Sequence, residues 1–568
     1  MAHVAGRGAS GTLMAGPKRP VEQIDLEADI KFGRGDDGTA CLRGGWCPPD
    51  EGFCWSVGAE SRLEMTCGET NGSHILIIQG HPFLHAPALA AQRLEILVNG
   101  VEVERLRLDG LFTHTIRLRK GLIRGGSAEI VFRQPDAQSP AHFGLGDTRL
   151  LAFRFWRVLL FRVGRRRRAG TPGVGMANVR NIGVASGVAA QLAALARQVP
   201  LLEGDAALHA RLSEGGLDMP GAVLDRPFRR LFWQCLTHGY LMAASDMARR
   251  SAVWPALSLE YDASVGDDCA VVRFTKTESG GCVFGFSPAL RGAAGQGGRE
   301  SLIAWHLLAI LPLFAAYAES DRVAGFCIVN LGDEGHRRGV GFCNLRSMDV
   351  LLIPDPYFVS TRGYEDLKNS VSADVVPWEE RRPVALWRGS TTGYRTGGDI
   401  MDLPRVALCR MAARPEKSEY LDAGVTDFAQ LQSEAEAELL QRSGLVRDFI
   451  PATCFQRWKY HVDIDGNTNS WPGLLQKLVS GSAVLKVESG GPYRQWYYDR
   501  LKPFEHFIPV RNDLGDLIEK IQYLRAHDDA ARRIGAAGRK LALSMACGTE
   551  LLRAQEVIET SMLIEGCS

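Results

Sequence analysis

Net charge is almost absent from this chain. Its 568 residues carry 66 Lys and Arg against 65 Asp and Glu, so no polyanion-binding surface covers the molecule and nucleic acid is not an expected partner. Paired cysteine spacing is missing as well. The 13 cysteines are odd in number and scattered from Cys41 to Cys567, without the short paired spacings of a zinc site or the density of a secreted disulfide scaffold, which fits a reducing cytosol. Residues 1–20 lack the apolar core of an export signal. The longest apolar stretch, Leu302 to Ala318, is shorter than a membrane span and contains His306 and Pro312, so it reads as a buried helix. These absences predict a soluble, cytoplasmic protein, and the length predicts more than one core.

What is present divides the chain. Residues 1–70 are glycine-rich and poor in apolar runs, and read as an irregular segment with short strands. From 71 to 165 short alternating runs predict strands at 74–78, 94–98, 101–106, 113–118 and 129–132, with Asn99-Gly100 supplying the positive φ angles of a tight hairpin. An antiparallel β-sandwich, similar to carbohydrate-binding jelly rolls, is the expectation. Arg162, Arg165, Arg166, Arg167 and Arg168 close that unit. Two readings stand for them: peripheral contact with anionic headgroups on the cytosolic face of a membrane, at about 1 kcal/mol per basic residue, or a solvated link into the linker 166–190.

Strand and helix then alternate, in 191–383 and again in 384–568. The first block predicts strands at 271–274, 282–286, 326–331 and 350–353 and a helix at 301–319. The second predicts strands at 384–387, 460–464 and 483–487, with helices at 403–413, 433–440, 473–480, 514–527 and 530–545. The fold class is therefore α/β: two Rossmann-like domains after a β-sandwich, with ligands expected at the carboxyl ends of the strands.

Three segments carry chemistry. Arg388 to Gly393, RGSTTG, follows a buried strand; a guanidinium can grip phosphate oxygens while Gly389 admits backbone and Ser390 and Thr391 offer hydroxyls. Between Lys459 and Ser482 a strand breaks into a polar loop that opens a helix, and the free amides of a helix's first turn suit a diphosphate. In FCIVNLGDEG, Phe326 to Gly335, a strand ends in an acidic loop where Asp333, or Glu334 one residue on, could act as a base. Asp463-Ile464-Asp465 is an Asp-x-Asp triplet of the kind that elsewhere holds a divalent metal.

Together with LKPFEHFIPV at Leu501 to Val510, these segments resemble glycosyltransferase family 90, which includes capsule-associated, lipopolysaccharide-modifying and protein O-glucosyltransferases, over roughly 270–545. The Trp387-Arg388-Gly389-Ser390 element, Lys459-Tyr460, Gly466, Ser470 and Gly481-Ser482 carry the likeness. The resemblance implies a GT-B pair of domains, 191–383 for the acceptor and 384–568 for the nucleotide sugar, and inverting transfer from a UDP-sugar to a hydroxyl of a glycan or glycolipid. It implies no metal or cofactor beyond the donor substrate, and Asp333 as the base. Arg388, Gly389, Ser390, Thr391 and the loop residues Asn469, Ser470 and Trp471 would bind the donor, and His506 would be scaffold. The lack of an export signal favours the bacterial branch; protein O-glycosylation and a non-catalytic glycan-binding role are the alternatives. One departure is plain: eukaryotic members place an arginine just after the loop serine, and here Ser470-Trp471-Pro472-Gly473 stands instead. Lys477 either replaces that charge or is a solvated helix residue. Trp471 either packs on the nucleotide or belongs to the core.

Overall fold

The computed structural model describes residues 22–165, 257–290 and 306–567, apart from short breaks within them. The linker 166–190, Arg166 to Arg168 and residues 191–256 lie outside the described residues. Nine strands come first: β1 (Glu22–Lys31), β2 (Cys54–Val57), β3 (Glu60–Thr66), β4 (Ser73–Pro82), β5 (Gln92–Val98), β6 (Val101–Leu108), β7 (Phe112–Leu118), β8 (Ser127–Arg133) and β9 (Leu151–Arg165). They form two antiparallel sheets, in the order β1-β9-β4-β7 with β2 beside β9, and β3-β8-β5-β6. Inward residues of both, Leu76 and Leu160 from one and Leu63, Ile96 and Phe132 from the other, share a single apolar core, as period-2 alternation requires of facing sheets. The β5–β6 turn holds Asn99 at φ 47° and Gly100 at φ 78°.

Two expectations need correction here. Of the segment 1–70 expected to be irregular, the described residues from 22 on are not: β1 and β3 pair across their full lengths with β9 and β8. Their polar outward positions diluted the apolar signal. Arg162 is also no free lipid contact, because it lies within β9 with its guanidinium on Asp25 at 2.7 Å and Glu27 at 3.6 Å.

The middle unit contains β10 (Leu257–Tyr261), β11 (Val271–Lys276), β12 (Cys282–Phe286), β13 (Gly325–Asn330), β14 (Gly339–Gly341), the short β15 (Asn344–Leu345) and β16 (Val350–Leu352). Their sheet runs β10-β12-β11-β13-β14-β16, and β11 is antiparallel to both neighbours. It is thus mixed rather than the parallel, Rossmann-like sheet expected. The reason is the tight link 277–281, closed by Thr277 N–H to Gly281 O at 3.0 Å: so short a connection can make a hairpin but not a crossover. The described residues between 306 and 318 are helical and bury Leu307, Ile310, Leu311 and Phe314 against this sheet. Among the described residues no helix is long and apolar enough to cross a membrane.

The last unit follows α1 (Pro356–Ser360) and α2 (Glu365–Ala373). Strands β17 (Arg382–Ser390), β18 (Leu421–Asp427), β19 (Trp458–Asp463), β20 (Ala483–Val487) and β22 (Ile508–Val510) form an all-parallel sheet in the order β18-β17-β19-β20-β22, while β21 (Tyr493–Arg494) pairs with β15. Helices α3 (Pro404–Ala412), α4 (Glu434–Arg442), α5 (Pro472–Val479), α6 (Leu517–Ala526) and α7 (Asp528–Ser544) cover it. Leu408 and Ile521 pack into one apolar cluster and Leu474, Leu478 and Ala542 into another, as a doubly wound sheet requires. The final helix, α8 (Cys547–Glu565), leaves this unit: Ala554, Ile558 and Met562 join the core of the middle one. Its Glu559, 1% exposed, accepts from Arg117 at 2.6 Å and from Arg322 at 2.7 Å. The unit expected to run 384–568 therefore gives its last helix to its neighbour.

His461, inside β19, sets a pH dependence. Burial, with Lys477 and Arg381 nearby, pushes its imidazole down to about 3. The folded value lies below the unfolded one, so this contribution to stability is complete above pH 6.5 and is lost as pH falls toward 3, at up to about 1.4 kcal/mol per pH unit. Denaturant titrations across that range should show the slope, and His461→Phe should flatten it.

Candidate functional site

Three loops meet where the two α/β units face each other, each at the carboxyl end of a strand. β13 ends at Asn330 and the chain turns through Gly332 to Asp333. β17 ends at Ser390 and leads to Gly393; β19 ends at Asp463 and leads through Gly466. One side chain joins them: Asn467 donates from Nδ2 to Asp333 Oδ2 at 3.0 Å and accepts the Gly393 N–H on Oδ1 at 3.1 Å. Asp333 is thus joined through Asn467 to the loops expected to hold the donor.

The guanidinium that serves these loops is not Arg388. Arg388 donates to the carbonyls of Asp448, Trp387 and Asp422 and to the Asp422 carboxylate at 2.8 Å. Two of these four bonds reach Asp422 in β18, so the side chain that was expected to grip phosphate is engaged in tying β17 to β18. Arg405 is placed instead against the loops. It donates from Nε to Asp465 O at 3.0 Å, from one terminal nitrogen to Thr392 Oγ1 at 2.6 Å and Ser390 O at 3.4 Å, and from the other to Ile464 O at 3.3 Å. Burial lowers its pKa, and its acidic neighbours Asp463 and Asp465 only offset this in part. Neither is an ion-pair partner; both are paired with lysines. Arg405 is thus a half-buried guanidinium with no carboxylate in ion-pair contact among the described residues. Sequence offered one signal for Arg405: it is the second residue of α3, where the helix dipole disfavours positive charge.

The remaining expected residues separate. Ser390 Oγ is 3.4 Å from Thr392 Oγ1 and half-buried beside Arg405. Gly389 is required, since a Cβ would lie 2.7 Å from the Trp387 ring. Thr391 is fully buried, donating to Ala429 O at 2.7 Å and accepting from Ala429 N at 2.8 Å, so it fastens the loop rather than facing a ligand.

The α5 terminus also differs from the free amide cradle expected. Ser470 accepts from Gly473 N on its carbonyl at 2.9 Å and from Leu474 N on Oγ at 3.2 Å, Asn469 Oδ1 accepts from Trp471 N at 2.6 Å, and Pro472 has no N–H. The loop's own groups saturate the first turn. Trp471 adopts φ 49° and stacks on His306 with centroids 5.5 Å apart, against Phe342 and Tyr357. Half-buried, it packs against the core of the first α/β unit and so ties the second unit to it. His306 Nδ1 donates to Leu331 O at 2.5 Å, and burial holds its pKa below the usual imidazole value. His506 accepts from Lys502 N at 3.1 Å, a local loop bond.

Lys477 is neither solvated nor free. It is 6% exposed and donates to Asp463 Oδ1 at 2.8 Å, while Lys486 lies 3.4 Å from Asp463 and 3.6 Å from Asp465. Burial alone would raise the Asp463 carboxyl, but the two ammonium groups hold it well below the usual carboxylate range. The Asp-x-Asp pair is thus neutralised by two lysines. Lys477→Met should cost about 3 kcal/mol by leaving a buried carboxylate half-paired, read as a lower denaturant midpoint at unchanged slope.

Residues 359–547 match the sequence model of glycosyl transferase family 90. Over 207 residues the chain is 36% identical to Protein O-glucosyltransferase 3 of Mus musculus, covering 35% of this chain and 37% of that one. Over 176 residues it is 28% identical to Uncharacterized protein 179R of Invertebrate iridescent virus 6, covering 28% of this chain and 15% of that one. Among solved structures, TarM aligns with a TM-score of 0.24 at 11% identity, over 32% of this chain and 36% of its own. The chain spans well under half the length of the curated relatives it matches. The stretch that matches the glycosyl transferase family 90 model, 359–547, carries the β17 and β19 loops and Arg405.

Proposed function

We propose that this chain is an inverting glycosyltransferase of GT-B type that moves a hexose or pentose, glucose or xylose among them, from a UDP-sugar to a hydroxyl of a glycan or glycolipid acceptor. Lipopolysaccharide or capsule assembly on the cytosolic face of a membrane is the setting. The observation that carries the reading is Arg405: a half-buried guanidinium with no paired anion among the described residues, set against two loops that Asn467 links to Asp333. A donor diphosphate supplies the missing negative charge and also meets the Ser390 hydroxyl. Asp333 takes the proton of the acceptor hydroxyl as its oxygen bonds to the anomeric carbon, and the bond to the diphosphate breaks with its electron pair leaving on UDP. One displacement inverts the anomeric centre. Asn467, hydrogen-bonded to Asp333 and to the Gly393 amide, holds the base in register with the donor loops.

A second reading, transfer to a protein hydroxyl, is favoured by the 36% identity to a protein named Protein O-glucosyltransferase 3. Purified protein given UDP-glucose or UDP-xylose with an oligosaccharide, or with a serine-containing peptide, separates the two by which acceptor gains mass. UDP release with either acceptor supports a transferase. Saccharide binding without UDP binding or release would leave only a glycan-binding protein.

A further inference from the structure

The outer face of the β1-β9-β4-β7 sheet packs on α8, with Ile75, Ile77, Leu159 and Phe161 against Leu563 and Ile564. Beside this contact lies a cavity of about 500 Å³ between the sheet, the β14–β16 edge and α8, lined in part by Lys31, Gln79, Trp156, Arg157, Arg338 and Ser561. The size falls within the roughly 300–1,000 Å³ of small-molecule sites. None of its lining residues belongs to the donor loops.

A β-bulge shapes this cavity. Gln79 pairs with Arg157 and the next residue, Gly80, with Phe155, so Trp156 is an extra residue in β9. Phe155 points into the sandwich core, and the bulge turns two consecutive residues, Trp156 and Arg157, onto the cavity; bulges commonly re-aim side chains beside functional sites. The Trp156 indole Nε1–H is buried with no acceptor among the described residues, a deficit that a ligand oxygen would remove. Arg157 is fixed by a two-point pair with Asp29 at 2.8 and 2.9 Å, which balances its charge. Lys31 and Arg338 are exposed residues of the lining.

We propose that this cavity is a saccharide site, and that it holds a distal unit of the acceptor glycan; only the word acceptor rests on the glycosyltransferase reading. An indole beside a planar guanidinium and a carboxamide offers both an apolar face and hydrogen bonds for ring hydroxyls. A purely apolar ligand would leave Gln79 and Arg157 facing hydrocarbon, and a polyphosphate would need more than Lys31 and Arg338 once Asp36, also in the lining, is counted. The loop that carries Asp333 ends at Arg338. Five residues span at most about 18 Å, so a saccharide in the cavity lies within reach of the base through a short glycan.

Methyl glucoside, xyloside, galactoside and glucuronide titrated into the full chain test this, with UDP binding measured on the same samples. At least one glycoside should bind saturably, and Trp156→Ala and the rim variant Lys31→Glu should each weaken it by about ten-fold. Saturable binding by none of the four, or an affinity in both variants unchanged from that of the unaltered chain, would overturn the site. If the glycoside binds there while UDP does not, the transferase reading fails and the saccharide site stands; if UDP-sugar is turned over and no glycoside binds, the reverse holds.

Discussion

Asp333→Asn should lower sugar transfer by about 10²- to 10⁴-fold, the usual contribution of a positioned general base, while UDP binds as tightly as before. The carboxamide has the same shape and keeps an oxygen to accept the Asn467 N–H bond now made at 3.0 Å, so the crevice survives the change. It cannot take a proton from an acceptor hydroxyl. The loss should fall on kcat with little change in KM for the donor, the signature of an interaction made in the transition state. Full activity in this variant would remove Asp333 from the mechanism.

Arg405→Met should weaken UDP binding by roughly ten- to a hundred-fold, since hydrogen bonds to a charged group contribute about 1.5–3 kcal/mol each. Arg405→Lys should not restore it, because a single ammonium cannot reach Asp465, Thr392, Ser390 and Ile464 together as the fork of Arg405 does. Thermal unfolding gives an independent reading. At one hundred times its Kd, UDP should stabilise the unaltered chain by about 2.7 kcal/mol, and the Met variant at the same concentration should gain far less. Arg388→Met makes a contrast: its guanidinium serves Asp422 and main-chain carbonyls, so the change should lower stability more than donor affinity.

Local patterning carried most of the strands and helices. The alternating runs at 74–78 and 129–132, the Asn99-Gly100 turn and the apolar strands at 326–331 and 483–487 lie where the residues indicated, because each pattern is a property of a few neighbours in sequence. Asp333 was legible for the same reason, as the acidic break after a buried strand. What escaped depended on distant partners. Nothing near Arg388 announces Asp422, and nothing near Lys477 requires that Asp463 take its charge. Ser470 and Asn469 looked like free ligands of a helix terminus because their caps close only once the loop has folded. Asn467 and Arg405 passed unnoticed, since their roles come from three strand ends converging. The strands before residue 70 and the departure of α8 were hidden likewise, because the surfaces that complete them lie far along the chain.

The central claim is that a donor diphosphate lodges between Arg405 and the β17 loop, across a shared crevice from Asp333. A crystal structure of the chain with UDP tests it most directly. The account predicts diphosphate oxygens within hydrogen-bond distance of the Arg405 guanidinium and the Ser390 hydroxyl, on the side of the Asn467 bridge that faces Asp333. UDP bound away from these loops, with no anion at the Arg405 guanidinium, would contradict it.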